Sequence, residues 1–95
     1  MNNDEKHEVE LLPDEYDALI SNRMIETACD DYLASPRERS GYMVLYLTES
    51  QLEYLTGCVA AEANHAETRA EEEVLGHVCD HLEGLISGIK MRSNR

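Results

Sequence analysis

The chain has 95 residues, and its twenty carboxylates against eight basic groups give a net charge of −12. That length allows one small domain with a limited core. That charge repels nucleic acid and anionic membrane, whose binding needs a basic footprint, and attracts a basic protein surface instead.

The charge is also uneven. Lys90, Arg92 and Arg95 fall in the last six residues, so residues 1–89 set all twenty carboxylates against five basic groups. Three cysteines (Cys29, Cys58, Cys79) are an odd number with no CxxC pair. No secretory leader is read at the start, and the longest apolar run, "YMVLYL", is far short of a membrane span. Free, buried thiols in a reducing, cytoplasmic setting are expected. No cofactor fingerprint and no glycine-rich phosphate loop occur, so no cofactor is expected.

In chain order, residues 1–8 read as a flexible acidic N-terminus, 9–90 as a single compact helical domain, and 91–95 as a basic C-terminal tail. Val9–Leu12 can form a short strand. Pro13 suits a first helical turn, with Asp14, Glu15 and Asp17 favourable at its positive end. Tyr16, Leu19, Ile20, Met24, Ala28 and Tyr32 recur at helical spacing and predict one helix from about Asp14 to Leu33. "SPRERSG" breaks it, and its "SPRE" matches a capping box that would open a short helical turn.

"YMVLYL", about residues 42–47, is β-branched, aromatic and apolar on both faces, and predicts a strand. Its partner is either Val9–Leu12 or the equivalent strand of a second subunit. The second option, with the small core, points to a homodimer. Thr48 and Gln51 form a capping box, and Leu52, Leu55 and Val59 open a second helix. Leu75, Val78, Leu82, Leu85 and Ile89, with Ile86 beside them, form the seam of a third. One helix over residues 49–90 would be about 63 Å long, so a helical hairpin turning near "NHAETR" is expected. The fold class is therefore mainly α, three helices with a C-terminal helical hairpin and one or two short strands. "VELLPDEYDALI" and "VLYLTESQLEYL", 35 residues apart, form a weak internal echo of strand followed by helix.

"AEANHAETRAEEEVLGHVCDH" concentrates the residues that carry chemistry. Glu73, His77 and His81 lie four apart on one helical stripe, a spacing at which two imidazoles and a carboxylate can chelate a metal. Glu62 and His65 supply one Glu-x-x-His pair, but a carboxylate-bridged bundle site needs two, and Val74 stands where the second glutamate belongs. Val78 follows His77, so there is no HExxH. An acidic, solvated stripe that binds no metal is the expectation. Cys79 lies between two histidines that point to other helix faces, and Cys58 and His65 are two turns apart. No catalytic residues are assigned, and the chain is not expected to be an enzyme.

Contact surface is what remains. Glu67, Glu71, Glu72, Glu73, Asp80 and Glu83 present carboxylates at spacings comparable with successive phosphates. Tyr42, Tyr46 and Tyr54, with Tyr16, suit half-buried positions with the hydroxyl at water or an interface. Gly57, Gly76, Gly84 and Gly88, with Ala60, Ala61 and Ala63, predict closely approaching helix backbones. The expected function is a small acidic, non-catalytic protein-interaction module acting as a homodimer. Its expected partner is a protein, with a basic surface as one option. The alternative is an inhibitor mimicking nucleic acid, since the chain resembles the phage or mobile-element inhibitors of that loose class in size and charge.

Overall fold

The computed structural model describes residues 5–93. They form strand β1 (Lys6–Leu11), helices α1 (Pro13–Ser21), α2 (Arg23–Ala28) and α3 (Asp30–Leu33), strands β2 (Arg37–Arg39) and β3 (Tyr42–Thr48), and helices α4 (Glu49–Asn64) and α5 (Arg69–Ser93). The molecule is mainly helical, with one three-stranded antiparallel sheet in the order β1-β3-β2.

The predicted Asp14–Leu33 helix is three helices. Asn22 adopts an extended backbone and its side chain accepts a hydrogen bond from the Ile25 amide at 3.0 Å, so it caps α2 instead of continuing α1. A second break falls at Cys29, at φ −121 and ψ 27. The break at Asn22 shifts the phase of the buried stripe by one residue. Tyr16 and Leu19 are buried as expected, but Ile25, Cys29 and Leu33 follow. Ile20, Met24 and Ala28 face outward, and Tyr32 is half-buried. Burial cannot keep one helical phase across a residue whose backbone leaves the helix.

The segment read as a helical turn at "SPRE" instead supplies β2. Ser40 and Gly41, both at positive φ (52 and 84), form a two-residue turn that sets Arg39 opposite Tyr42. Such turns match the twist of the strands they join and favour glycine. β3 pairs with β1 on its other edge, Val9 opposite Leu45. The strand thus has both partners within the chain, and its pairing gives no reason for a second subunit. β1 begins at Lys6, inside the segment read as flexible, and α5 runs to Ser93, into the segment read as a tail. Residues 1–4 and 94–95 of those two segments lie outside the described residues.

Both strand-to-helix junctions are capped. Thr48 and Gln51 exchange bonds, the Thr48 amide to Gln51 Oε1 at 2.9 Å and the Gln51 amide to Thr48 Oγ1 at 3.1 Å. At α1 half of that device is present. Leu12 has no acceptor to offer, but its amide donates to Glu15 Oε1 at 2.8 Å. Leu12 corresponds to Thr48, Glu15 to Gln51, Val9 to Leu45 and Leu19 to Leu55. Those pairs are 36 residues apart, one more than the echo in the sequence. Val9 and Leu45 hold equivalent places in the two segments and are directly paired across the sheet.

Residues 65–68 separate α4 from α5, and Thr68 Oγ1 accepts the Glu71 amide at 3.1 Å at the start of α5. Lys90 Nζ, near the end of α5, lies 3.3 Å from Glu53 Oε2 near the start of α4. The core joins Val9, Leu11, Leu45 and Leu47 of the sheet to Leu19, Ile25, Leu52, Leu55, Val59, Leu75, Val78 and Leu82 of the helices. The glycine expectation fails. A Cβ built at Gly57, Gly76, Gly84 or Gly88 would meet nothing within 4 Å, so no helix backbone approaches them. The side chains of Leu75, Val78 and Leu82 fill the α4–α5 space instead.

Candidate functional site

α1, α4 and α5 place the residues singled out above. Glu71, Glu72 and Glu73 occupy the first turns of α5, Asp80 and Glu83 lie further along it, and Glu67 precedes it. All six are exposed. At about 100° per residue the three consecutive glutamates diverge around the helix. Glu73 and Asp80 form one outer row about 10 Å apart along the axis, and Glu72 and Glu83 a flanking row about 16 Å apart.

The Glu73–His77–His81 stripe does not converge. Glu73 and His77 are exposed, whereas His81 is half-buried and turned toward α1. Its Nδ1 lies 3.0 and 3.2 Å from the two carboxylate oxygens of Glu15, the residue that also receives the Leu12 amide. His81 therefore ties α5 to the capped start of α1. Among the described residues, no three His, Cys, Asp or Glu side chains are placed to hold a metal ion. Glu62 accepts from Asn22 Nδ2 at 3.2 Å, and His65 is exposed past the end of α4.

The tyrosines separate into three places. Tyr42 and Tyr46 are exposed on the outer face of β3, on either side of buried Val44. Arg39 of β2 pairs with Glu8 and with Glu10 (3.3 Å) of β1, so its side chain bridges the sheet across β3. Val44 is an apolar residue buried on that same face, paired with Glu10 on one side and Arg37 on the other. Tyr54 lies on α4, with its ring edge-on to Tyr32 at a centroid distance of 6.1 Å. Tyr16 is buried and its hydroxyl donates to the Leu33 carbonyl at 2.6 Å, with its pKa raised by burial and by Asp17.

One arrangement has no counterpart in the sequence pattern. Cys58, on α4, lies close enough to Cys29, at the α2–α3 junction, and to the Tyr54 hydroxyl to raise the pKa of both. Burial first, and then Cys58, push the Cys29 thiol up to about 12. Cys79 is raised by burial, Glu83 and Asp80. A protonated thiol is a poor nucleophile.

Between the end of α1 and the start of α5 lies an open cleft of about 320 Å³, lined by Ala18, Ser21, Asn22, Ala70, Glu71, Val74 and Leu75. Val74 in its wall is 44% exposed, a large fraction for a valine beside a buried leucine. No family model matches the chain, and no curated protein or solved structure matches it either. Function must therefore be argued from these residues. Among the described residues no helix is long and apolar enough to cross a membrane.

Proposed function

We propose that the protein is a small, acidic, non-catalytic interaction module for a basic protein partner. In this reading α4 and α5 form a helical hairpin that serves as a rigid platform. The observation that carries it is the α1–α5 cleft, where an apolar wall of Ala18, Ala70, Val74 and Leu75 lies beside Glu71 and the run Glu71–Glu73. An apolar side chain flanked by Lys or Arg matches both properties, since the cleft rewards burial and the rim rewards positive charge. We extend the proposal to self-association, on the ground of the small core and of exposed Met24, Val74 and Met91. A clean monomer in sedimentation at micromolar concentration would remove that extension.

The alternative, a mimic of nucleic acid, rests on the same α5 carboxylates. Its support is narrower, because the rows Glu73–Asp80 and Glu72–Glu83 are short and Glu67 stands off the helix.

Capture of partners from the native host, with mass-spectrometric identification, tests the module. The wild-type chain is compared with Ala70→Trp, which fills the cleft, and with Glu71→Gln/Glu72→Gln/Glu73→Gln. A basic partner that is lost with the filled cleft and weakened by salt and by the neutral triple variant is expected. A partner set unchanged by both variants, with folding retained, overturns the reading. A nucleic-acid-binding partner displaced by DNA or RNA would favour the mimic.

A further inference from the structure

Two contacts join the α2–α3 segment to α4 on either side of a cysteine pair. Asn22 Nδ2 donates to Glu62 at 3.2 Å and Tyr32 stacks edge-on against Tyr54; between them Cys58 packs against the core that holds Cys29, close enough to raise its thiol. On α4 the partners Glu62, Cys58 and Tyr54 are each one helical turn apart, so all three face the same neighbour. The two contacts hold the two backbones in register around the cysteine pair. Both thiols are free, Cys29 is 1% exposed, and Cys58 is half-buried.

We propose that Cys29 and Cys58 are a reversible dithiol–disulfide site that takes a hydroperoxide as its oxidant and ties the α2–α3 junction covalently to α4. Cys58 is the sulfur that a small oxidant reaches. It gives an electron pair to one oxygen of the peroxide, which becomes a sulfenic acid on Cys58, while the other oxygen leaves as an alcohol or as water. The Cys29 sulfur then attacks the Cys58 sulfur, and the hydroxyl leaves with the Cys29 proton as water. In sum, two thiols and one hydroperoxide give one disulfide, one alcohol and one water. A dithiol reductant reverses the change. The Cys29 thiol, raised to about 12 by burial and by Cys58, stays protonated at neutral pH, so the second step accelerates as pH rises.

The link closes a loop from Cys29 to Cys58 that contains the β2–β3 turn and half of α4. Restricting the unfolded chain this way raises Tm on the order of 10 °C in a domain of this size. Cys79, buried on α5, is the internal control.

The test treats the fully reduced 95-residue protein with hydrogen peroxide at low micromolar protein concentration. Intact mass and peptide mapping follow, after the remaining thiols are blocked. The expected product has lost two hydrogens, contains a Cys29–Cys58 linked peptide, retains Cys79 as a thiol, melts higher, and reverts with dithiothreitol. Cys58→Ser, at a half-exposed position, is expected to give no linked peptide and no rise in Tm. In urea the native preference is expected to vanish, with Cys79 joining the links. Three intact thiols, a sulfinic acid at Cys58 without a link, or a link that joins two chains would each overturn the proposal. Should Cys58→Ser fail to fold, the peptide map of the wild-type protein decides alone.

Discussion

The same substitution should have opposite effects at different glycines of this chain. Gly57 lies inside α4, and Gly76, Gly84 and Gly88 lie inside α5, all with open space where a Cβ would stand. Alanine there removes unfolded-state freedom and adds no contact to be strained, a gain of about 0.8–1 kcal/mol at each site. In a domain of this size that corresponds to a rise in Tm of roughly 4–8 °C per substitution. Gly41 also has open space, but its φ of 84 is a conformation that L side chains rarely adopt, so Gly41→Ala should lose about 1 kcal/mol from backbone strain alone. Urea unfolding followed by circular dichroism on the five single variants separates the two groups at unchanged m-value. A loss of stability at Gly84 or Gly57 would refute the reasoning. It would mean that another backbone, such as a second copy, closes on that surface in solution.

Asn22→Ala should cost about 1 kcal/mol from the lost α2 cap, and more if the Glu62 contact adds to it, measured by urea unfolding. Leu82→Ala, at a fully buried core position, should cost about 2–5 kcal/mol by transfer and cavity terms together, and a smaller loss would show that the α4–α5 packing is loose. Stability should also fall as pH rises above the ordinary thiol range. Cys29 has its folded pKa raised, so the native state holds a proton that the unfolded chain releases first. The contribution is whole below pH 9 and is lost as pH climbs toward about 12; stability profiles of wild type and Cys29→Ala should diverge over that window.

Local devices were legible in the sequence. Thr48 and Gln51 announced the start of α4, and the spacing of Leu75, Val78, Leu82 and Ile89 announced the buried face of α5. Thr68 with Glu71 repeats the capping-box spacing and marks the start of α5, but it sits in a polar run where the eye seeks glycine or proline. The β2–β3 turn was also written in the chain, as Ser40-Gly41 between two short strands, and the capping-box reading of "SPRE" competed with it. Val44 shows the limit of pattern alone. It is buried on the outer face between exposed Tyr42 and Tyr46, where Arg39 reaches across the strand to Glu8 and Glu10, and no periodicity encodes that reach.

Asn22 links the break in the predicted helix to the place of the Cys29–Cys58 pair. A continuous helix from Asp14 to Leu33 would have kept Ala28 and Tyr32 on the buried stripe and left Cys29 on its flank. Because Asn22 leaves the helix and caps the next one, the buried phase advances by one residue and Cys29 enters the core. The same residue donates to Glu62 of α4, one helical turn from Cys58. It also lines the α1–α5 cleft beside Ala18 and Ser21. One capping side chain thus shapes the cleft on one side and the dithiol contact on the other. Oxidation at Cys29 and Cys58, by stiffening the α2–α4 contact, would then act on the cleft through Asn22. The two sites stay separable by experiment, because Ala70→Trp fills the cleft without touching either sulfur.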